Sequence, residues 1–192
     1  MAQSPLFNAS STALVVIDLQ KGIVGMETEP RPASAVVANA AKLAKAFRAH
    51  QMPVFLVRVM RSPDGKDGLQ PIIDGPPMNF PRNADWSDIV PELGPQPGDI
   101  IITKRQWGAF YGTDLDLQLR RRKIETIVLC GISTNAGVES TARFAFEYGY
   151  QQIFAEDACA SRSNEDHAHA LKSSFTRMGR IRSTDEILRG ME

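Results

Sequence analysis

Two charged residues, each placed at the end of an apolar segment, could act together in proton transfer. Asp18 ends the segment Ala13–Ile17, and Lys104 ends the segment Ile100–Thr103. Burial at a strand end raises the pKa of a carboxyl group, whereas a neighbouring lysine favours the charged form and opposes that rise. The pair could therefore hold a carboxylate ready for proton transfer, while the ammonium group stabilises negative charge on a substrate. Ordinary roles are also open, since Asp18 could cap the following turn and Lys104 could be a surface lysine.

A turn that contains two glycines supplies the third feature. The segment Gly131–Gly137, with the sequence GISTNAG, follows the apolar segment Thr126–Cys130 and opens a predicted helix. Backbone N–H groups at the start of a helix form a binding site for an anion. Gly137 could be a packing glycine at this helix start, or it could leave space there for substrate and water.

Neither of the two cysteines is expected to act as a nucleophile. Cys130 lies at the end of an apolar strand before the turn, where it should behave as a small buried hydrophobe. Cys159 is expected to be equally inert. A count of two cysteines also does not indicate a disulfide framework.

In this order along the chain, the Asp18 segment, the Lys104 segment and the turn resemble the isochorismatase-like hydrolases, also called cysteine hydrolases. The resemblance extends over residues 11–188. It implies a catalytic aspartate, lysine and cysteine in that chain order. Asp18 and Lys104 match the first two positions, whereas Gly137 stands where most members have the nucleophilic cysteine. Isochorismatases themselves also have glycine there, so the departure matches that subgroup.

The implied activity is hydrolysis of a small molecule without a covalent intermediate. In isochorismatase the family chemistry is cleavage of a vinyl ether with release of pyruvate. Asp18 would protonate the enolpyruvyl carbon, water would attack the resulting oxocarbenium ion, and Lys104 would hold the geometry. Two alternatives remain open: hydrolysis of another small amide or enol ether, and a catalytically inactive homologue that binds a small molecule without turnover.

Further residues near these motifs are predicted to contact the substrate. Aromatic residues usually belong to the core, but the turn just beyond Lys104 should place at least one of its three aromatics in a pocket. Arg58 could bind a substrate carboxylate, or it could be an ordinary loop-edge arginine. The resemblance also implies a cis peptide bond between Ile132 and Ser133. The predicted substrate-binding residues are Gln20, Arg58, Trp107, Phe110, Tyr111, Ile132, Ser133 and Thr134.

No metal site or other cofactor is predicted. Nicotinamidases, which belong to the superfamily that this sequence resembles, carry an Asp-x-His motif and a further histidine after the second strand. The corresponding stretch here, Arg58–Gly65, contains no histidine. His167 and His169 are two residues apart on a predicted helix, so they face different directions and do not form a metal-binding pair.

Apolar segments alternate with amphipathic helical patterns along the chain. This alternation predicts an α/β fold, a Rossmann-like, three-layer α/β/α doubly wound sandwich around a mainly parallel six-stranded sheet. The resemblance implies the strand order 3-2-1-4-5-6, which brings the ends of strands one and four to a topological switch point, where ligands bind. The predicted strands are Thr12–Leu19, Pro53–Val59, Asp99–Thr103, Ile124–Gly131, Gln151–Ala155 and Arg180–Ser183.

The helical patterns complete a single domain over residues 1–192, with an N-terminal extension at 1–10 and a long loop at 60–97 near the site. Thr113 and Asn164 are the candidate helix caps. Long loops within compact domains are usually functional. The predicted helices are Ala33–His50, Thr113–Lys123, Thr134–Tyr148, Asn164–Met178 and Thr184–Arg189.

The charge balance argues against nucleic-acid and membrane partners. Lys and Arg number 22, as do Asp and Glu, so the formal net charge is zero. The basic cluster Arg120–Lys123 is expected to be a solvated helix end. No signal sequence or membrane-spanning run is recognised, so a cytoplasmic location is expected. A small-molecule substrate is the expected partner, together with further copies of the chain in a dimer or tetramer.

Overall fold

The computed structural model describes residues 6–75 and 85–191. Part of the predicted N-terminal extension and part of the predicted loop 60–97 therefore lie outside the described residues. Within the described ranges, no helix is both long enough and apolar enough to cross a membrane.

A six-stranded sheet forms the centre of the fold, and every pairing between its strands is parallel. The strand order is β3-β2-β1-β4-β5-β6, as predicted. All residues of β1 and β4 are buried, as expected for strands covered on both faces. The strands are β1 Thr12–Ile17, β2 Val54–Val59, β3 Ile100–Lys104, β4 Thr126–Ile132, β5 Gln151–Ala160 and β6 Arg180–Arg182.

Helices cover the sheet and complete the predicted three-layer sandwich. The helix Ala33–Ala49 buries an apolar stripe at helical spacing and packs on β5 together with the helix Thr184–Arg189. The helix Glu139–Glu147 packs beside the helix Thr176–Met178. The helices are α1 Lys21–Val24, α2 Ala33–Ala49, α3 Leu115–Arg121, α4 Glu139–Glu147, α5 Asn164–His169, α6 Thr176–Met178 and α7 Thr184–Arg189.

Two helices that were predicted to be continuous begin or continue with a wider, π-type turn. Thr134–Val138 precedes α4, and Ala170–Phe175 separates α5 from α6. Single wide turns of this kind occur within otherwise regular α-helices, so the helical pattern around them does not reveal them. The short helix α1 was not predicted at all.

The strand β5, which was predicted to begin with Gln151–Ala155, continues to Ala160. The half-buried acidic residues Glu156 and Asp157 interrupt its apolar pattern. Asp157 finds partners in the backbone N–H and the hydroxyl of Thr184, at 2.7 Å each, so the strand can continue through it.

Both predicted helix caps were wrong by one residue. Ser163, not Asn164, caps α5 by accepting a hydrogen bond from the N–H of Asp166. Thr113 lies one residue before the cap position of α3, and its hydroxyl accepts from the N–H of Leu115 at 3.2 Å. The local capping chemistry was therefore recognised, but the sequence pattern did not resolve the exact register.

Candidate active site

A buried ion pair joins the ends of β1 and β3. Lys104 Nζ lies 2.7 Å from Asp18 Oδ2, and the side chains are 1% and 8% exposed. Lys104 also donates to the backbone carbonyls of Gln106 at 3.1 Å and Trp107 at 2.7 Å. These three acceptors match the three protons of the ammonium group, so the lysine is held in one position.

The second carboxylate oxygen of Asp18 is buried and has no hydrogen-bond partner among the described residues. A buried acceptor without a partner costs about 1–3 kcal/mol, so such an atom calls for an explanation, of which a catalytic role is one. Lys104 thus engages one oxygen of Asp18, Oδ2, and leaves Oδ1 unengaged.

Burial raises the pKa of Asp18 above its ordinary value, and the charge and hydrogen bond of Lys104 oppose that rise. These are the two opposing effects that the sequence predicted for this pair, and burial is the larger. A carboxyl group with a raised pKa takes up and releases a proton more readily near neutral pH.

The backbone at Asp18 adopts the left-handed region, with φ at +53°. This conformation is uncommon outside glycine, although aspartate tolerates it better than most residues. Such outliers persist where the surrounding structure holds them, and they are frequent at active sites. The conformation turns the chain sharply just after β1 and leaves the carboxylate at the end of the sheet.

Gln20 fixes this turn instead of contacting a substrate. Its side-chain amide accepts from the N–H of Val59 at 2.8 Å and donates to the carbonyl of Val59 at 3.0 Å. It also donates to the carbonyl of Trp86 at 3.3 Å. The predicted substrate contact of Gln20 is thus wrong, because the side chain is completely buried and its amide is used by the backbone.

Gly137 lies directly beside the ion pair. A Cβ atom added there would be 3.0 Å from Asp18 Oδ2 and 3.6 Å from Lys104 Nζ. The predicted cis peptide bond between Ile132 and Ser133 is present at the start of the same turn. The turn after β4 therefore faces the Asp18–Lys104 pair, and a side chain at position 137 would project towards it.

Gly131 allows the turn to approach β1 this closely. Its φ is +131°, and a Cβ atom there would lie 2.0 Å from the carbonyl oxygen of Ile17. No side chain fits at that distance, so only glycine is compatible with this position. The two glycines thus have different roles: Gly131 permits close packing, whereas Gly137 leaves space beside the ion pair.

The three aromatic residues after Lys104 have different environments. Phe110 is buried and packs against Tyr148 and Tyr150, with ring centroids 5.3 and 5.9 Å apart, so its predicted substrate contact is replaced by a core role. Trp107 is 51% exposed and Tyr111 is 71% exposed. Since the carbonyl of Trp107 binds Lys104, this residue lies next to the site, and its contact with substrate remains a prediction.

Arg58 does not point towards the ion pair. In the register of β2 and β3, it lies opposite Thr103 and donates to the hydroxyl of that residue at 3.1 Å. Side chains alternate between the two faces of a sheet, so Arg58 and Lys104 lie on opposite faces. The predicted contact between Arg58 and a substrate held at Lys104 is therefore not supported.

The turn residues Ile132, Ser133 and Thr134 lie between Gly131 and Gly137, and their contact with a substrate remains a prediction. Ile132 is buried in β4, and Ser133 precedes the wide turn with a partly exposed side chain. Thr134 is completely buried, and its hydroxyl is 2.8 Å from Nδ1 of His167. Sequence analysis considered His167 only as a metal ligand and missed this contact, which joins residues 33 positions apart.

Burial lowers the pKa of His167 from its ordinary 6.5 to about 4, and the charge of Arg31 acts in the same direction. The unfolded chain therefore binds the proton more readily, so the free energy of unfolding falls as pH falls from about 6.5 towards 4. We expect a loss of about 2 kcal/mol between pH 7 and pH 5 from this residue. Denaturant unfolding at both pH values should show a smaller loss for His167→Asn, and an unchanged pH dependence in that variant would contradict the assignment. His169→Asn serves as the control.

Both cysteines are buried and unsuited to nucleophilic attack. Burial raises the pKa of Cys130 well above its ordinary value and raises that of Cys159 to about 12. A thiol reacts as the thiolate, so neither residue replaces a nucleophile at position 137. Among the residues that the structure describes, no cluster of three His, Cys, Asp or Glu side chains could hold a metal ion.

The fold and the pair of charged residues beside a strand–turn–helix junction define a class of α/β hydrolytic enzymes. The isochorismatase domain matches residues 12–186. YwoC of Bacillus subtilis, an uncharacterized isochorismatase family protein, is 54% identical over 179 residues, which cover 92% of each chain. The chain therefore belongs to the isochorismatase family and is a hydrolase.

One solved structure and one less similar sequence support the same family assignment. The structure of an isochorismatase family protein from Burkholderia thailandensis has a TM-score of 0.94 at 44% identity and covers 97% of this chain and 98% of that chain. The ureidoacrylate amidohydrolase RutB of Variovorax paradoxus is 32% identical, over 79% of this chain and 69% of its own. The family fold thus spans the whole described site.

Proposed function

We propose that this protein hydrolyses a small enolpyruvyl ether of the isochorismate type, without a metal and without a covalent intermediate. The observation that carries the proposal is the buried Asp18–Lys104 pair, with Asp18 Oδ1 unpaired and with Gly137, which offers no nucleophile, facing it. Asp18 transfers the proton, and Lys104 fixes the orientation of Asp18 and stabilises the carboxylate that forms as the proton leaves.

The reaction starts with transfer of a proton from Asp18 to the terminal enolpyruvyl carbon, which leaves an oxocarbenium ion. Water adds to this ion and returns a proton to Asp18, and the resulting hemiketal collapses to pyruvate and the alcohol. The first step requires a protonated Asp18, although Lys104 favours the charged form. Burial already raises the pKa of Asp18, and a bound substrate that displaces water raises it further.

The absence of a side chain at position 137 supports a non-covalent route. A Cβ atom would lie within 3.0 Å of both Asp18 Oδ2 and Ile17 Cγ2, so even alanine would crowd the pair. The space next to the carboxylate is then available for substrate and for the attacking water. Trp107 and Ser133 remain the proposed substrate contacts near this space, whereas the buried hydroxyl of Thr134 is occupied by His167.

Hydrolysis of a small amide is the second candidate, because RutB, a relative over most of this chain, is named an amidohydrolase. Amide hydrolysis in a cysteine hydrolase needs the thiol that Gly137 lacks, which favours the enol ether. A protein that binds a small molecule without turnover is the third candidate. Purified protein should be incubated with isochorismate and a panel of small amides, and thermal stabilisation without any turnover would favour pure binding.

We also infer a cytoplasmic homo-oligomer, either a dimer or a tetramer. Zero net charge provides no repulsion between copies, and large apolar side chains are exposed on the single chain, including Ile72, Tyr111 and Phe146. Sedimentation velocity at several concentrations measures the assembly, and a monomer at all concentrations would exclude it.

Alkylation should leave the native activity essentially unchanged. Iodoacetamide reacts with thiolates, and both Cys130 and Cys159 are buried with raised pKa values. We expect wild-type protein treated with this reagent to retain turnover and to gain no mass under native conditions. Loss of activity together with alkylation of Cys130 would mean that the nucleophile has moved there.

A further inference from the structure

A buried hydrogen bond connects α5 to the turn that faces the ion pair. His167 Nδ1 lies 2.8 Å from the hydroxyl of Thr134, and the two residues are 3% and 0% exposed. The proton-transfer steps proposed above use neither side chain. A buried polar pair whose groups satisfy each other makes the local structure more rigid and specifies one geometry.

Thr134 occupies the first position of the wide turn Thr134–Val138, and Gly137 lies three residues further on. Other contacts hold the remainder of this turn. Thr141 donates to the carbonyl of Gly137 at 2.7 Å, and the hydroxyl of Ser161 lies 2.5 Å from Asn135 Oδ1. His167 therefore supplies the side-chain contact at the start of the turn, and Ser161 and Thr141 supply contacts further along it.

His167 is itself held firmly by the structure around α5. Ser163 caps this helix, and the carboxylate of Glu29 accepts from the N–H of Asn164 at 2.8 Å. Because the pKa of the ring is lowered to about 4, the imidazole is neutral near pH 7. A neutral ring has one nitrogen that donates and one that accepts, so it pairs with a hydroxyl without leaving a buried charge.

We propose that His167 is a positioning residue, whose hydrogen bond to Thr134 fixes the turn so that position 137 faces Asp18 and Lys104. This inference rests on the proposed function, because that function gives the alignment of position 137 with Asp18 and Lys104 its importance. The alignment itself can be measured without a substrate. The variant Gly137→Cys places a thiol beside the pair, and its alkylation rate reports the position of the turn.

The test measures the iodoacetamide rate of Gly137→Cys alone and combined with His167→Leu, Thr134→Val or both. We expect each single change to slow alkylation about tenfold or more, towards the rate of an ordinary thiol. The double change should slow it no further, because the two residues act through one contact. His167→Asn and Thr134→Ser, which retain a hydrogen-bonding group, should restore most of the rate.

Matched controls separate alignment from general stability. His169→Leu changes an exposed histidine two residues away on the same helix, so the rate should stay unchanged. Melting temperature is recorded for every variant, and Thr134→Val serves alone if His167→Leu does not fold. Additive effects of the two changes, or a wild-type rate in folded His167→Leu or Thr134→Val, would overturn the proposal.

The test also distinguishes failure of this inference from failure of the proposed function. A thiol rate that depends on His167, in a protein that hydrolyses none of the substrates tried, supports the positioning role and argues against the hydrolytic proposal. An introduced thiol that reacts no faster than an exposed cysteine in the otherwise unaltered protein overturns the positioning role, since the turn would then not present position 137 to the pair.

Discussion

Asp18→Asn is expected to lower kcat by about 10²–10⁴-fold, the range that general acid–base catalysis usually contributes. Asparagine has nearly the same shape, and its carbonyl oxygen can still accept from Lys104, so the fold should persist. What it cannot do is exchange a proton with a substrate through the position now occupied by Asp18 Oδ1. Steady-state turnover and circular dichroism of the purified variant provide the measurement.

An exposed carboxylate gives the matched control for this change. Asp185→Asn removes the same charge at the start of α7 and should leave turnover unaltered. If Asp18→Asn retained activity within about threefold of wild type, its role in proton transfer would be excluded.

Lys104→Ala extends the same prediction to the partner residue. It should also be severely impaired, since it leaves the Asp18 carboxylate buried without its cation. The double variant should lose little more than the worse single variant, because the two residues act as a unit. Independent, additive losses would show that they do not.

Gly137→Cys is expected to abolish the native reaction and to create a reactive thiol. The new Cβ atom lies 3.0 Å from Asp18 Oδ2, so the side chain fills the proposed space for water and substrate. The thiolate form is favoured by the ammonium group of Lys104, whose Nζ lies 3.6 Å from the new Cβ atom, and by the start of the following helix. Iodoacetamide should therefore alkylate this thiol faster than Cys130, and weak amidase or esterase activity can accompany it.

Two further variants serve as controls for Gly137→Cys. Gly137→Ala produces the same crowding without a thiol and should lose the native reaction without gaining reactivity. Ser173→Cys places a thiol at an exposed position and provides the reference rate. A thiol at position 137 that reacts no faster than this reference would show that the turn does not face the charged pair.

The strands were predictable because the physical causes of a strand are local or repeated along the chain. Continuous apolar segments such as those of β1 and β4 can exist only when both faces are covered. Parallel strands then bring their carboxyl ends to one edge of the sheet, so Asp18 and Lys104 could be paired before any distance was known. The family resemblance supplied the strand order and the position of Gly137, which periodicity alone does not determine.

The errors in the site arose from contacts between distant segments. Whether Gln20 binds a substrate or the backbone depends on Val59, which lies 39 residues away. The face on which Arg58 lies depends on its register with β3. The proposed role of His167 depends on its contact with Thr134, which lies 33 residues away. In each case the residue type was compatible with a site, and only the tertiary partner determined its role.

The most direct test follows purified wild-type protein during turnover, with isochorismate and small amides as substrates and intact-protein mass as a simultaneous readout. Non-covalent hydrolysis through the Asp18–Lys104 pair predicts release of pyruvate from isochorismate while the protein mass stays unchanged. Turnover of an amide through a covalently modified protein would contradict it, and so would thermal stabilisation by isochorismate without any release of pyruvate.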